Sequence, residues 1–319
     1  MGVSIIMPFR NSERWIEEAI SSIQNQSFIH WELIAVNDHS EDHGAEAVHN
    51  LMLSDPRIRM VTNEGHGIIA ALQTALKHSQ NDMITRLDSD DKMPSNRLQW
   101  MTDALSKLGR GNLITGKVSY FSDRNLSPGY SEYEHWLNER VDLQDFFNWR
   151  FRECVIASPA WLMYKEDLTA IGGFSRLTYP EDYHLVLRWL YEGIRFHGIP
   201  ETVLHWREHP DRTSRNHEGF AQKAFFDLKL RFLLEKEYRE NMDVLVLTSS
   251  SPKTKLILDF FESNHIPTQK FSIDTITELP HNDENLLLSA VFPKKQNRKE
   301  LEQYVESLGY RHGIDFFYL

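Results

Sequence analysis

Short apolar segments alternate with segments of helical periodicity through the first 91 residues, and this alternation limits the fold more than any other feature. Residues 3–7 have the composition of a strand that is buried on both faces, and residues 31–36 are predicted to form a second strand. The apolar positions between residues 12 and 24 recur with helical spacing. Repeated alternation of this kind predicts an α/β fold with a mostly parallel sheet and right-handed crossover connections.

Three carboxylates, Asp88, Asp90 and Asp91, fall within four residues directly after the β-prone segment 83–85. The carboxyl ends of parallel strands form the edge at which open α/β sheets bind ligands, so we expect the cluster to lie there. Adjacent carboxylates repel unless a cation lies among them, and Mg²⁺ and Mn²⁺ prefer oxygen ligands. The cluster indicates a metal that holds a nucleotide diphosphate. Taken alone, a solvated acidic turn before a helix near residues 96–108 explains it equally well.

Composition argues against several classes of protein. The chain has 35 basic and 46 acidic residues, a net charge of −11, which disfavours a nucleic-acid-binding surface. No segment approaches the roughly 18 apolar residues that span a bilayer, and the first residues lack the basic region of a signal peptide. The one cysteine, Cys154, cannot form an intramolecular disulfide. These observations predict a cytoplasmic protein.

The pattern of strands and helices restarts near residue 241, which predicts two domains. The first would comprise residues 1–240, and the second would be a small α/β accessory domain of residues 241–319. The second domain, at about 75 residues, is near the lower limit for independent stability. It carries no acid cluster or glycine-rich phosphate loop. Its expected role is therefore structural, either packing on the first domain or forming a homodimer.

Five motifs in order resemble those of the family 2 glycosyltransferases, whose nucleotide-sugar-binding α/β fold is called GT-A. The motifs are IIMPFRN at 5–11, VNDHS at 36–40, RLDSDD at 86–91, GGF at 172–174 with ED at 181–182, and WREH at 206–209. One such motif is weak evidence, but five in this order and spacing are specific. The resemblance covers residues 3–215 and implies a GT-A fold with a mixed, mostly parallel sheet.

The resemblance places the nucleotide-sugar site at Pro8, Arg10, Asp38, Arg86 and Asp88. In that family the end of the first strand and the aspartate after the second strand hold the nucleoside. The structural alternative for Asp38 is an Asx turn or a helix cap, and for Arg86 it is an ion pair. The family often has tyrosine at position 10 and aspartate at position 37, whereas this chain has arginine and asparagine there. The Arg10 guanidinium can stack on a base or contact a phosphate, which leaves the base open.

The same resemblance implies that Asp88, Asp90 and His209 hold Mn²⁺ or Mg²⁺ and that Asp182 is the catalytic base with Glu181 as its supporter. An inverting transfer needs a base that deprotonates the acceptor hydroxyl as it attacks the anomeric carbon. The two acids open a helix predicted to run to about residue 192. The structural alternative is that they only favour the helix dipole, worth about 0.3–1 kcal/mol. For His209 the alternative is a surface loop histidine.

The implied activity is that of a hexosyltransferase-type glycosyltransferase with a nucleotide-sugar donor, which we expect to be UDP-linked. Its acceptor would be a hydroxyl of a glycan or lipid-linked molecule in bacterial surface polysaccharide assembly, with peripheral association at the inner face of the membrane. Acceptor recognition is expected within residues 122–152. A sugar nucleotidyltransferase is disfavoured because the turn after Pro8 lacks a glycine-rich loop. A nucleotide-sugar-binding protein without catalysis stays open.

Overall fold

The computed structural model describes residues 1–123, 125–248 and 250–319. These residues form two compact units. The first comprises Met1–Gln144 and Ile156–Arg215, and the second comprises Asp145–Val155 and Asn216–Leu319. No helix in the described ranges is long and apolar enough to cross a membrane.

A seven-stranded sheet forms the centre of the first unit, in the order β3-β2-β1-β4-β6-β5-β7. Its strands are β1 (Val3–Phe9), β2 (Trp31–Asn37), β3 (Ile58–Thr62), β4 (Met83–Arg86), β5 (Asn112–Phe121), β6 (Trp161–Tyr164) and β7 (Arg195–Arg207). Strand β6 runs antiparallel to β4 and β5, and the other neighbouring strands are parallel. The predicted α/β fold with a mixed, mostly parallel sheet is confirmed.

Amphipathic helices connect these strands and bury their apolar faces. The helices are α1 (Ile16–Gln24), α2 (Gly44–Ser54), α3 (Gly67–His78), α4 (Arg97–Leu108), α5 (Pro128–Leu143), α6 (Lys165–Ala170) and α7 (Glu181–Tyr191), and the short helix α8 (Thr213–Asn216) follows β7. In α1, Ala19, Ile20 and Ile23 are buried at the helical spacing that the sequence shows. Helix α7 begins at Glu181 and ends close to the predicted position. The two acids that it carries therefore lie in its first turn.

A four-stranded, all-parallel sheet forms the centre of the second unit, in the order β11-β10-β8-β9. Its strands are β8 (Val244–Thr248), β9 (Thr268–Ser272), β10 (Leu286–Ser289) and β11 (Phe316–Tyr318). Its longer helices are α9 (Gln222–Lys236), α10 (Pro252–Ser263) and α11 (Lys295–Ser307). This arrangement agrees with the α/β character predicted for the end of the chain.

The compact units divide the chain at different residues from the predicted boundary between 240 and 241. Helix α9 and Asp145–Val155 belong to the second unit, where α9 packs against α10. Trp149 stacks on Tyr318 with ring centroids 5.7 Å apart, and Arg150 donates a hydrogen bond to the Gly313 carbonyl at 3.1 Å. Both segments precede β8 and carry no strand signal of their own, so the sequence pattern alone does not assign them to the second sheet.

Gly116 provides a test of the packing between β5 and β7. It lies where their register shifts, and an added Cβ would be 2.5 Å from Val203 Cγ1 and 2.8 Å from the Glu201 carbonyl oxygen. Because backbone blocks one side, we expect Gly116→Ala to lower the free energy of unfolding by about 1–3 kcal/mol, measured by urea denaturation.

Gly129 in α5 is the matched control, because an added Cβ would meet no described atom within 4 Å. Alanine is the better helix former, so Gly129→Ala is expected to be neutral or to stabilise by up to about 1 kcal/mol. Equal unfolding free energies for Gly116→Ala and the wild type would contradict the packing described.

Candidate active site

The carboxyl ends of β1, β2 and β4 lie side by side, since these strands are parallel neighbours. Pro8 pairs with Val36 of β2, whereas the β1–β4 ladder ends at Ile6. Strand alternation directs the Pro8 nitrogen towards β4 beyond the end of that ladder, so its missing N–H loses no hydrogen bond. Arg10, just after β1, is exposed and forms no hydrogen bond or ion pair with the described residues.

Asp38, at the end of β2, is bound by its own chain. Its Oδ1 accepts a hydrogen bond from Asn63 Nδ2 at 2.6 Å, and the Gly67 N–H lies 3.1 Å from Oδ1 and 3.0 Å from Oδ2. Gly67 is the first residue of α3, so the Asp38 carboxylate caps that helix. The helix-cap alternative for Asp38 is therefore present in the structure, and contact with a nucleoside stays a prediction.

Asp38 also belongs to a group that the sequence did not predict. Within the described ranges, Asp38, His39 and His66 are the one set of three metal-competent side chains whose ligand atoms all lie within 4.8 Å of one another. His39 Nε2 lies 2.9 Å from the Gly65 carbonyl oxygen. That nitrogen and both Asp38 oxygens already have hydrogen-bond partners. Fewer lone pairs are therefore available to a metal than the short distances within the group suggest. No sequence signal joins it, since His39 and His66 follow different strands.

Arg86, the last residue of β4, joins the acidic cluster to α7. Its buried guanidinium donates from Nε to Asp88 Oδ1 at 2.6 Å, and Nη1 lies 3.5 Å from Glu181 Oε1. Burial disfavours this cation, but the carboxylates of Asp88, Glu181 and Asp182 outweigh burial and raise the pKa of Arg86. The ion-pair alternative for Arg86 is therefore what the structure contains.

Asp91 ties the acidic segment to the end of β7. Its Oδ1 accepts a hydrogen bond from the Arg207 N–H at 2.8 Å, and backbone hydrogen bonds join Lys92 to His205. Its Oδ2 is buried without a hydrogen-bond partner in the part of the chain that the structure describes. Burial raises the pKa of Asp91 well above its usual value, and the charges of Asp90 and Asp88 add to the rise. A divalent cation would relieve this crowding of carboxylates.

These hydrogen bonds between the acidic segment and the end of β7 place His209, two residues after β7, next to Asp90. Its Nε2 lies 2.9 Å from Asp90 Oδ2, and its ring contacts that of Trp15 with centroids 4.0 Å apart and the ring planes tilted by 36°. Its Nδ1 is buried and has no partner among the described residues. Burial tends to raise the pKa of Asp90, but the His209 hydrogen bond and the Arg212 charge bring it below its usual value. His209 is thus half-buried and held against Asp90 and Trp15, and its role as a metal ligand stays a prediction.

The predicted metal ligands are chemically suitable for Mn²⁺ or Mg²⁺ but do not form one tight group. Asp90 and His209 are in contact, whereas Asp88 pairs with Arg86. Among the described residues, Asp88, Asp90 and His209 have no choice of one ligand atom each that brings all three atoms within 4.8 Å of one another. The orphaned oxygen of Asp91 and the orphaned Nδ1 of His209 show unmet bonding capacity at this edge. Carboxylate oxygens with a neutral imidazole are donors that both metals accept.

Glu181 and Asp182 occupy the first turn of α7, as predicted. Asp182 Oδ1 accepts a hydrogen bond from the Tyr183 N–H at 2.7 Å, whereas Glu181 Oε2 is buried without a partner in the described chain. Burial raises the pKa of both carboxyls, and the Asp182 charge helps to bring the pKa of Glu181 to about 7 despite Arg86. A carboxyl group with a raised pKa is suited to proton transfer near neutral pH.

A cavity adjoins these acids and explains their raised pKa values. Arg86, Ser158, Glu181 and Asp182 contribute its polar groups. The rest of its wall is mostly apolar, including Leu72, Trp161, Phe174 and Trp189. Such a wall excludes water and penalises the ionised carboxylates.

The model of a protein family described as glycosyl transferase family 2 matches residues 4–171. The UDP-Glc:alpha-D-GlcNAc-diphosphoundecaprenol beta-1,3-glucosyltransferase WfgD of Escherichia coli is 32% identical over 196 residues, which are 59% of this chain and 68% of that protein. The GalNAc(5)-diNAcBac-PP-undecaprenol beta-1,3-glucosyltransferase of Campylobacter jejuni is 29% identical over 152 residues. That match covers 47% of this chain and about half, 48%, of the relative.

The fold has a counterpart among solved structures. Residues 1–349 of S. aureus TarS, crystallised with UDP-GlcNAc, align with a TM-score of 0.56 and 16% sequence identity. The alignment covers 75% of this chain and 68% of the TarS chain. At this identity the likeness is one of fold, and it confirms the GT-A fold that the motifs imply.

Glu181→Gln is expected to reduce the pH dependence of stability. Because the folded-state pKa of Glu181 is about 7, above its ordinary 4.5, the folded protein holds this proton more tightly than the unfolded chain does. The resulting stabilisation is fully present below about pH 4.5 and is lost as pH rises through about 7. Over that range the wild type should lose roughly 3 kcal/mol more unfolding free energy than the variant.

Urea denaturation at a series of pH values measures this difference. Glu17→Gln, which removes an exposed acid from the first turn of α1, controls for the loss of a helix N-terminal charge. Parallel pH profiles for the wild type and Glu181→Gln would show that the Glu181 carboxyl does not have the raised pKa.

Proposed function

The chain belongs to glycosyl transferase family 2, and on this basis we propose that it is a metal-dependent, inverting glycosyltransferase that moves a hexose from a UDP-linked donor to a hydroxyl of a lipid-linked glycan. The observation that carries the proposal is the Arg86 ion-pair network, which joins Asp88 at the edge of the sheet to the acids of α7. A lipid-linked acceptor implies peripheral association with the inner face of a membrane. Two relatives are named as glucosyltransferases acting on undecaprenol diphosphate-linked acceptors, which supports glucose as the first donor sugar to test.

Asp182 is the proposed catalytic base. Its carboxylate takes the proton of the acceptor hydroxyl while the hydroxyl oxygen bonds to the anomeric carbon, and the bond from that carbon to the diphosphate oxygen breaks on the opposite face. Attack from the opposite face inverts the configuration of the sugar. Glu181 is the weaker candidate, because it is more deeply buried and its Oε1 faces Arg86. Burial raises the pKa of Asp182 against the opposing charge of Arg86, and Glu181 supports the base as a second partner of Arg86.

Asp90 and His209 are the proposed metal ligands. Asp88 is the proposed third ligand, through an oxygen that is not bonded to Arg86. Asp91 holds this segment against β7 through the Arg207 N–H. When Mn²⁺ or Mg²⁺ is bound, its positive charge stabilises the departing diphosphate. The contact of the His209 ring with Trp15 and its hydrogen bond with Asp90 hold the imidazole in one orientation.

The proposed nucleoside site comprises Pro8, Arg10 and Asp38. Pro8 lies beyond the last β1–β4 pair and has no N–H to leave unsatisfied, so the chain can turn away from the sheet there. The exposed Arg10 guanidinium follows directly and is available to a base or a phosphate. The capping bonds of Asp38 fix the position of its carboxylate beside this turn.

Asp182→Asn is expected to lower turnover of UDP-glucose by about 10²–10⁴-fold, because proton transfer from the acceptor loses its base. Donor binding should stay within about twofold of the wild type, since binding does not require that proton transfer. UDP release with Mn²⁺ or with EDTA, in the presence of lipid diphosphate-linked GlcNAc, measures the rate, and isothermal titration measures binding. Asp103→Asn, an exposed carboxylate on α4, is the matched control.

A normal rate in Asp182→Asn would exclude this residue as the base, and turnover that survives EDTA would exclude metal dependence. Donor binding without turnover by the wild type, across a panel of acceptors, would favour a binding protein. Failure to bind any nucleotide sugar would contradict the proposed function altogether.

Arg10→Ala is expected to weaken UDP binding about tenfold or more, because a charge-assisted contact contributes about 1.5–3 kcal/mol. Arg14→Ala is the matched control, since Arg14 is also exposed near β1 but pairs with Asp123 at 3.0 Å. Isothermal titration with UDP compares the two variants. Equal affinities would show that Arg10 does not contact the nucleotide.

A further inference from the structure

The sheet of the second unit contains a topological switch point between β8 and β10. The chain passes from β8 outwards to β9 on one side, and then from β10 outwards to β11 on the other side. All neighbouring strands are parallel, so the carboxyl ends of β8 and β10 lie at the same edge. In open α/β sheets, ligands bind in the crevice at such a point.

Helix α10 begins at this edge, three residues after the end of β8. Ser251 is its N-cap, and the Ser251 Oγ accepts a hydrogen bond from the Lys253 N–H at 3.3 Å. The helix is 12 residues long, and its dipole favours an anion at this end. The Lys253 side chain adds a positive charge in the first turn.

Lys229 on α9 supplies an independent observation. Its side chain is 97% buried, since only 3% is exposed, and its ammonium makes no hydrogen bond or ion pair with the described residues. The ammonium lies 4.0 Å from the centroid of the Phe226 ring, and the Lys253 ammonium lies 5.8 Å from the same centroid. The two lysines therefore converge on one ring beside the first turn of α10.

More positive than negative side chains surround Lys229. Burial lowers the pKa of Lys229 to about 7; the Glu153 carboxylate opposes this effect, and the charges of Arg152 and Lys253 add to it. Burial and Arg152 also lower the pKa of Lys253. Burial without a paired anion disfavours the charged ammonium, and an anion bound beside it would favour the charged form.

Positive charge continues to the carboxyl end of β10. Phe292 follows that strand, and the guanidinium carbons of Arg152 and Arg298 lie 4.2 Å and 4.7 Å from its ring centroid. Arg298 is in the first turn of α11, the second helix that starts at this edge. Arg152 pairs with Glu153 at 2.5 Å, and Arg298 has Glu302 at 3.9 Å. Glu153 and Glu302 therefore lie against the arginines. Among the described residues, neither Lys229 nor Lys253 has an ion-pair partner.

We propose that the second unit binds a phosphate-bearing ligand at this switch point, with Lys229 and Lys253 as cationic contacts beside the N-terminus of α10. A phosphate group carries enough negative charge to pair with both lysines and to interact favourably with the helix dipole. A nucleoside diphosphate and a lipid-linked diphosphate share this chemistry. The site lies within the second unit and does not depend on the proposed transferase activity.

Isothermal titration of the full-length chain with inorganic pyrophosphate, at low salt and with EDTA, tests the site. Lys229→Met and Lys253→Ala are each expected to weaken binding about tenfold or more, since each removes one charge-assisted contact. Lys253 is only partly buried, so its variant keeps the test valid if Lys229→Met does not fold. Lys223→Ala is the matched control, because Lys223 is an exposed lysine of α9 that pairs with Asp227 at 2.5 Å.

Further arms identify the occupant and exclude the first unit. UDP and a water-soluble short-chain polyprenyl diphosphate are titrated into the same variants, and the ligand whose affinity falls in Lys253→Ala is the one bound here. Loss of pyrophosphate binding in Arg10→Ala but not in the lysine variants would place the anion in the first unit and overturn the proposal. Equal affinity in the wild type and both lysine variants, or no saturable binding up to about 10 mM, would also overturn it.

Discussion

The buried guanidinium of Arg86 holds the candidate active site together. It ends β4, pairs with Asp88 two residues later, and reaches Glu181, which lies 95 positions further along the chain than Arg86. Several buried carboxylates would repel one another without it, and removing one member of such a network leaves an uncompensated charge at a cost of about 3–5 kcal/mol. The placement of the α7 acids at the edge of the sheet therefore depends on this single cation.

The acidic cluster serves two different parts of the first unit. Asp88 faces Arg86 and α7, whereas Asp91 binds the backbone of β7 and thereby brings His209 to Asp90. This division explains why the three predicted metal ligands do not form one tight group. It also connects the proposed metal site to the proposed base, because adjacent residues of one short segment take part in both networks.

Local sequence patterns predicted many strands and helices of the first unit, but they could not predict contacts between residues far apart in the sequence. The apolar runs predicted β1 and β2, and the acidic pair predicted the start of α7 at Glu181. No periodicity shows that Asp38 caps α3, or that His66 lies against His39, because each contact joins separate loops. Aromatic composition could not assign Trp149 to the second sheet, and an isolated lysine in a helix gives no sign that Lys229 is buried.

The anomeric configuration of the product tests the central claim most directly. UDP-glucose labelled with ¹³C at the anomeric carbon, a lipid diphosphate-linked GlcNAc acceptor and Mn²⁺ would be followed by NMR during turnover. Asp182 acting as a base in a single displacement predicts that the α-linked donor yields a β-linked product from the first turnover. An α-linked product would mean retention of configuration and would contradict the role proposed for Asp182.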